Sequence, residues 1–165
     1  MNDLTRDVVR PLTALVETIL ICRERRGGRV PVAAGTFEVD HGLVGDAHAG
    51  PGDRQVPLFC VAGRGRLASG PPDGLCFVRF QETVRLDGLD TADLGTGDRL
   101  AGAEVVLEVS PEPKQCFPEC AIVARGGRCA LADGVRFARV VVGGALRVGE
   151  PLERLPAGTP ETPGT

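Results

Sequence analysis

The segment KQCFPECAIVARGGRC carries three cysteines, Cys116, Cys120 and Cys129, in the pattern C-x3-C-x8-C. Zinc ribbons present paired CxxC units, so this spacing fits a structural zinc site poorly. Pro118 is more informative. Placed at the first position of a helical turn, it sets Cys120 at the third, close to backbone N–H groups that have no helical partner. Those dipoles favour a thiolate and lower its pKa, and Lys114 and nearby arginines act in the same sense. A thiolate is the form that binds a soft metal or attacks sulfur. The plainer alternative is three packed or incidental thiols.

Two further segments carry groups of matching chemistry. HGLVGDAHAGPGDR, residues 41–54, is a glycine-rich loop in which Asp46, His48 and Arg54 supply a carboxylate, an imidazole and a guanidinium, with Gln55 next in line. Glycines let a ligand approach the main chain closely, and Arg54 suits bidentate recognition of a phosphate or carboxylate. A solvated turn closed by an Asp–Arg ion pair is the other reading. RFQETVRLDGLD, residues 79–90, reads as a strand whose alternation points Glu82 inward toward a pocket, or else as an exposed charged strand.

The elements that must position these groups are short and mostly extended. A length of 165 residues favours one domain, and 42% hydrophobic residues argue against wholesale disorder. The 23 glycines and 13 prolines imply many tight turns and disfavour a helix bundle. Six phenylalanines without tryptophan or tyrosine leave a core built mainly from Val, Leu, Ile and Ala. A formal net charge of −3 is a poor basis for broad nucleic-acid binding. Arginine supplies every basic residue except Lys114. The opening MNDLTRDVVRPLTALVETIL mixes acids into its apolar stretch, unlike a signal peptide, and no run reaches the ~18 apolar residues of a membrane span. A cytoplasmic protein with reduced thiols is expected, with Cys22, Cys60 and Cys76 as core residues among apolar neighbours.

Along the chain, residues up to 12 have a four-residue apolar spacing that suits a short helix limited by Pro11. LVETILIC at 15–22 suits strand or helix. Short strands are expected at 30–34 and 36–39 around Gly35, at 55–61, 76–80, 82–86, 104–109, 137–142 and 145–148. Gly63 and Gly65 weaken any helix after residue 61, and Gly143-Gly144 has the form of a two-residue hairpin turn. The pattern predicts a mainly β domain, barrel or sandwich, over 15–153, an extension at 1–14 and a disordered tail at 154–165. There is no internal repeat.

In order and spacing, HGLVGDAHAG with RQV, RFQETVRLDGLD, LGTGDRL, VVLEVS, KQCFPECAI and FARVVVGGALRVGE resemble the MOSC family, named for the C-terminal part of molybdenum cofactor sulfurases. The similarity is to the short stand-alone bacterial members and covers roughly residues 15–152. It implies a MOSC-type β-barrel with few short helices. It also implies binding of a molybdenum–pterin cofactor (molybdopterin), or carriage of sulfur for it, in sulfur transfer or in reduction of an N-oxygenated substrate. In relatives such as the mitochondrial amidoxime-reducing component a cysteine in this region ligates molybdenum, and the matching residue here is Cys120. Cys116 and Cys129 match thiols of the short members. Asp46, His48, Arg54 and Gln55 fall on the glycine-loop motif and Arg139 on FARV. With Glu82, these are the implied cofactor contacts, Arg54 and Arg139 holding the phosphate.

Three departures stand out: Thr83 where the family often has Asn, a glycine-rich stretch where short members have a helix after RQV, and LADGVRFARV before the last motif. The implied partners are a pterin cofactor or small-molecule substrate and a cysteine desulfurase or molybdoenzyme. A molybdenum-free persulfide carrier and a non-catalytic pterin- or partner-binding module are the alternatives. Pyridoxal phosphate is not expected: in full-length cofactor sulfurases its lysine belongs to a separate aminotransferase-like domain, and Lys114 lies in no such motif.

Overall fold

The computed structural model describes residues 12–77 and 79–158. Eleven strands, β1 (Thr13–Ile21), β2 (Val30–Val32), β3 (Ala34–Glu38), β4 (Gly42–Leu43), β5 (Val56–Cys60), β6 (Val84–Asp87), β7 (Arg99–Ala101), β8 (Val106–Val109), β9 (Arg136–Val142), β10 (Gly144–Arg147) and β11 (Pro151–Leu155), are joined by α1 (Val61–Ser69), α2 (Ala121–Ala124) and α3 (Ala130–Gly134). Seven strands form a closed barrel in the order β11-β7-β8-β9-β5-β6-β1, with β1 returning to β11 and β2 continuing from β1 as an edge. β10, β3 and β4 make a separate small sheet.

Within the barrel only β5 and β6 pair in parallel, a geometry that needs a crossover connection, and α1 lies in the chain between them. The open choice at LVETILIC resolves as strand. Ala14 and Val16 point in while Leu15 is 49% exposed, and the phase shifts between Val16 and Thr18 so that Ile19 and Ile21 also reach the core. The barrel interior is aliphatic around Phe37. A second cluster, Phe59, Leu67, Leu131, Val135 and Phe137, lies under α1 and α3.

Several local expectations give way to packing. The strand expected at 76–80 does not form at its described residues: Cys76, Phe77 and Arg79 lie in turns, with the Phe80 amide donating to the Cys76 carbonyl at 2.8 Å. This puts Cys76, Phe77 and Phe80 together against the Phe59 cluster. α1 forms despite its glycines, because a Cβ at Gly63 would lie 2.6 Å from Phe59 Cζ: the ring needs that gap. A helix is therefore present after RQV, where the glycine content counts against one. β9 and β10 do not form a hairpin. A Cβ at Gly143 would meet the Phe37 carbonyl at 2.8 Å, so the chain slips between strands there, and β10 pairs with β3. Gly35 lies inside β3 because Leu43 occupies the space of its missing side chain, with Cδ1 2.5 Å from that Cβ position.

The long glycine loop contains the two-residue β4, where Gly42 adopts φ 109° hard against the Gln55 carbonyl. β1 begins at Thr13 and β11 runs to Leu155, so the sheet reaches two residues past each bound expected of the domain. The expected helix before residue 12 and the tail from 159 onward lie outside the described residues. Among the described residues no helix is long and apolar enough to cross a membrane.

Candidate functional site: a thiol pocket beside a basic cleft

The loop of residues 110–120 leaves β8, crosses the top of the Phe59 cluster and enters α2. It divides two hollows. One, of about 20 Å³, is almost wholly apolar and is lined by Cys76, Cys116, Cys120 and Cys129 with Leu75, Phe77, Phe117, Val123 and Leu131. The other is a cleft of about 420 Å³ between the glycine loop and the Arg79–Gln81 turn. Arg29, His48, Arg54, Arg79 and Lys114 line it together with Gln81, Gln115, Pro57, Phe80, Phe117 and Phe137, and no carboxylate does. Lys114 and Phe117 belong to both walls.

Cys120 is the N-cap of α2 rather than a residue within its first turn, because the helical turn starts at Ala121. Its thiol is buried and lies at the N-terminal end of that short helix. The backbone amide of Leu75, followed by that of Val123, holds its pKa below the ordinary thiol value, and burial opposes this. Asp73, clamped by Arg125 at 2.6 and 2.8 Å, also opposes it. Cys116 is exposed and goes the other way: loss of solvation raises its pKa, and only Lys114 counteracts this. Cys129 is half-buried as the N-cap of α3. All six cysteines are free; Cys22 and Cys60 are buried as expected, but Cys76 is a pocket wall as much as a core residue. Alkylation of Cys120 by a small reagent is expected to reach half its limiting rate at a lower pH than alkylation of Cys116, a comparison that peptide mass spectrometry across pH 6–10 would make. Coincident profiles would contradict the placement of those amides.

The glycine-loop residues divide between scaffold and cleft. Asp46 accepts from Arg29 Nη1 at 2.8 Å, from the Cys22 amide at 3.0 Å and from the His48 amide at 2.8 Å, which ties the loop to the end of β1. Gln55 accepts from the Val140 amide at 3.0 Å and donates to the Gly52 carbonyl at 2.9 Å, so it fastens the loop to β9. His48 and Arg54 reach the cleft, Arg54 lying 5.1 Å over the Phe137 ring and 3.3 Å from Glu112. Glu82 faces inward but meets Arg64 and, at 2.6 Å, Arg85; its neighbour Gln81 is the residue presented to the cleft. Arg139 is not brought to the cleft. It bonds Glu108 at 3.0 Å and sits 3.5 Å from Asp53 beside a separate surface hollow. Thr83 Oγ1 accepts from Arg29 Nη1 at 3.3 Å.

Arg29, Arg79, Gln81 and Cys76 were not singled out by spacing. Arg79 and Gln81 sit in a motif whose alternation drew attention to Glu82, and Arg29 becomes legible only through its pairing with Asp46. Among the described residues no group of three or more His, Cys, Asp or Glu side chains is placed to hold a metal ion by itself.

These features define a closed, mainly β barrel with a thiol pocket and a cationic cleft at the loop that precedes α2. No protein-family model and no curated protein matches the chain. Solved structures do. The YuaD protein from Bacillus subtilis aligns at 16% identity and a TM-score of 0.63 over 88% of this chain and 97% of its own. YiiM from Geobacillus stearothermophilus aligns at 18% identity and 0.57 over 86% and 75%. YiiM from Escherichia coli aligns at 19% identity and 0.58 over 90% and 71%. The fold is the MOSC-type β-barrel, with its few short helices.

Proposed function

We propose that this chain is a MOSC-family protein that carries sulfur on Cys120, and that the adjoining cleft receives an anionic ligand of the molybdopterin type. The observation that supports this reading most directly is the shared wall. A thiol with a lowered pKa sits in an apolar hollow, and Lys114 and Phe117 separate that hollow from a large cleft without carboxylates. The hollow's volume of about 20 Å³ is roughly that needed for one small atom or water. That suits the outer sulfur of a persulfide, which the surrounding carbon atoms would shield from water.

In the step proposed, the Cys120 thiolate attacks the outer sulfur of a donor persulfide. The donor's S–S bond breaks with its electron pair going to the donor thiolate, and a Cys120–S–SH persulfide remains. Attack on Cys120 Sγ by Cys116 or Cys129 then releases hydrosulfide and leaves a disulfide. Incubation with a cysteine desulfurase and cysteine is expected to add about 32 Da to Cys120, one sulfur atom, and to add nothing at this position in Cys120→Ser. Absence of an adduct on Cys116, Cys120 and Cys129 alike would overturn sulfur carriage.

The molybdenum–pterin cofactor that the fold family implies fits the cleft by donor chemistry. Arg54, Arg79 and Lys114 are suited to its phosphate, and Phe80 lines the same cleft. When bound, such a group would supply two-electron redox chemistry at its metal, and Cys120, behind the Lys114–Phe117 wall, would be its protein ligand. Metal analysis of protein made with an intact cofactor pathway tests this second reading. Molybdenum equally absent from wild type and Cys120→Ala would remove it.

A further inference from the structure

We propose that the sulfur donor for Cys120 is a small oxyanion bearing sulfane sulfur, of the thiosulfate class. Its oxyanion end would rest on Lys114 and Arg79 at the inner side of the cleft while its outer sulfur enters the thiol pocket. This deepens the sulfur-carrier reading and rests on it.

The charge distribution points to such a ligand. The chain as a whole has a net charge of −3, yet the cleft concentrates cationic side chains and excludes acids from its lining. Two of those cations are already engaged: Arg29 by Asp46 at 2.8 Å, and Arg54 by Glu112 at 3.3 Å on the rim. Among the described residues Arg79 and Lys114 have no carboxylate partner. Lys114 also lines the thiol pocket. Its Nζ lies 3.6 Å from Cys76 Sγ, 2.8 Å from the Gln115 carbonyl that it donates to, and 5.5 Å from the Phe80 ring centre.

A dianion held there has its charged end against an ammonium and a guanidinium and its other end toward a hollow with almost no polar surface. Few small metabolites have that division within one molecule. The sulfonate-like end of thiosulfate is strongly hydrated and suits cations; its terminal sulfur is soft and suits an apolar pocket. A donor cysteine on a protein, by contrast, makes no use of a cationic cleft.

The chemistry balances without a further reagent. The Cys120 thiolate attacks the terminal sulfur, the S–S bond of thiosulfate breaks, and its electron pair leaves on sulfite. Cys120 retains the transferred sulfur as a persulfide anion. Negative charge moves onto the departing sulfite in this step, and Lys114 and Arg79 are placed where that charge grows. Both residues are therefore expected to accelerate transfer as well as to bind the donor.

The test mixes reduced protein with thiosulfate, measures sulfite release, and locates the added sulfur by peptide mass spectrometry. The expected result is one sulfite per chain with the adduct on Cys120, and no release by Cys120→Ser. Lys114→Met and Arg79→Met should each slow loading at least tenfold, with Lys114→Arg recovering part of the rate. The Lys114 and Arg79 variants should keep the wild-type thermal midpoint, so that slower loading is not a failure to fold. Loading by the desulfurase with none from thiosulfate would overturn this proposal and leave sulfur carriage standing. Failure with both donors would overturn the carrier reading itself. Wild-type rates with thiosulfate in both methionine variants would overturn the assignment of the oxyanion to Lys114 and Arg79.

Discussion

Glu82→Ala is expected to lower the free energy of unfolding by about 3–5 kcal/mol, the range for removing one partner of a buried ion pair. The carboxylate is fully inaccessible and is held by Arg64 from α1 and, at 2.6 Å, by Arg85 from β6. Its removal leaves two guanidinium groups facing a hole at the junction of the α1 crossover with the barrel. A urea titration should show the midpoint falling with an unchanged slope. Glu82→Gln keeps the shape, loses the charge and should fall between the two. Burial raises the pKa of Glu82, but the bonds from Arg64, its own backbone and Arg85 outweigh it, so the folded value is depressed below the ordinary 4.5. The sign follows from linkage. The stabilisation is complete above the unfolded value and is lost as pH falls through the folded one. Asp98 behaves alike: burial is offset by the Gly95 amide at 2.8 Å and by Arg154 at 2.7 Å. Wild-type stability should therefore decline more steeply below about pH 4.5 than that of Glu82→Gln. Parallel declines would contradict the depressed value.

Phe59→Ala should cost about 3–5 kcal/mol as well, through a cavity rather than a charge. The ring is fully buried, with Gly63 of α1 and Gly134 of α3 closing on it so tightly that a Cβ at either would stand 2.6 and 2.8 Å from ring carbons. The same cluster carries Leu131, Val135 and Phe137, and Cys76 and Cys129 pack against it. The loss should thus be felt at the thiol pocket: Cys76 and Cys129 become more reactive toward an aromatic disulfide reagent, while Cys22, buried and outside that cluster, does not. Chemical denaturation and a thiol-titration time course measure both effects. A stability change below about 1 kcal/mol would show that the two helices do not depend on the ring.

What could be read in advance follows the range of the interactions involved. Alternation in FARVVV and in residues 104–109 marks strands because each side chain's fate depends on its own face, and β9 and β8 appear where expected. The path of β10 was hidden because it turns on contacts of Gly143 with the Phe37 carbonyl and of Gly144 with Glu104, distant in sequence. α1 was hidden for a similar reason: intrinsic propensity counts Gly63 as a weakness, whereas packing against Phe59 makes it a requirement. At the site, Cys120 is legible from the local thiols but not from Pro118, which precedes the helix instead of opening it, and His48 and Arg54 are legible from the loop composition. The scaffold duties of Asp46 and Gln55 were not, since their partners Arg29 and Val140 come from elsewhere in the chain. Arg79 and Lys114 carry no periodic signal, and only the folded arrangement puts them on one cleft.

The barrel is closed by β11 pairing with β1, Leu15 standing opposite Pro151. On a ribosome adding ~5–20 residues per second, the first strand emerges roughly six to twenty-six seconds before the segment that covers its open side. Through that interval the Thr13–Leu15 edge of β1 has no strand to pair with on that side, although β2 and β6 have already been made.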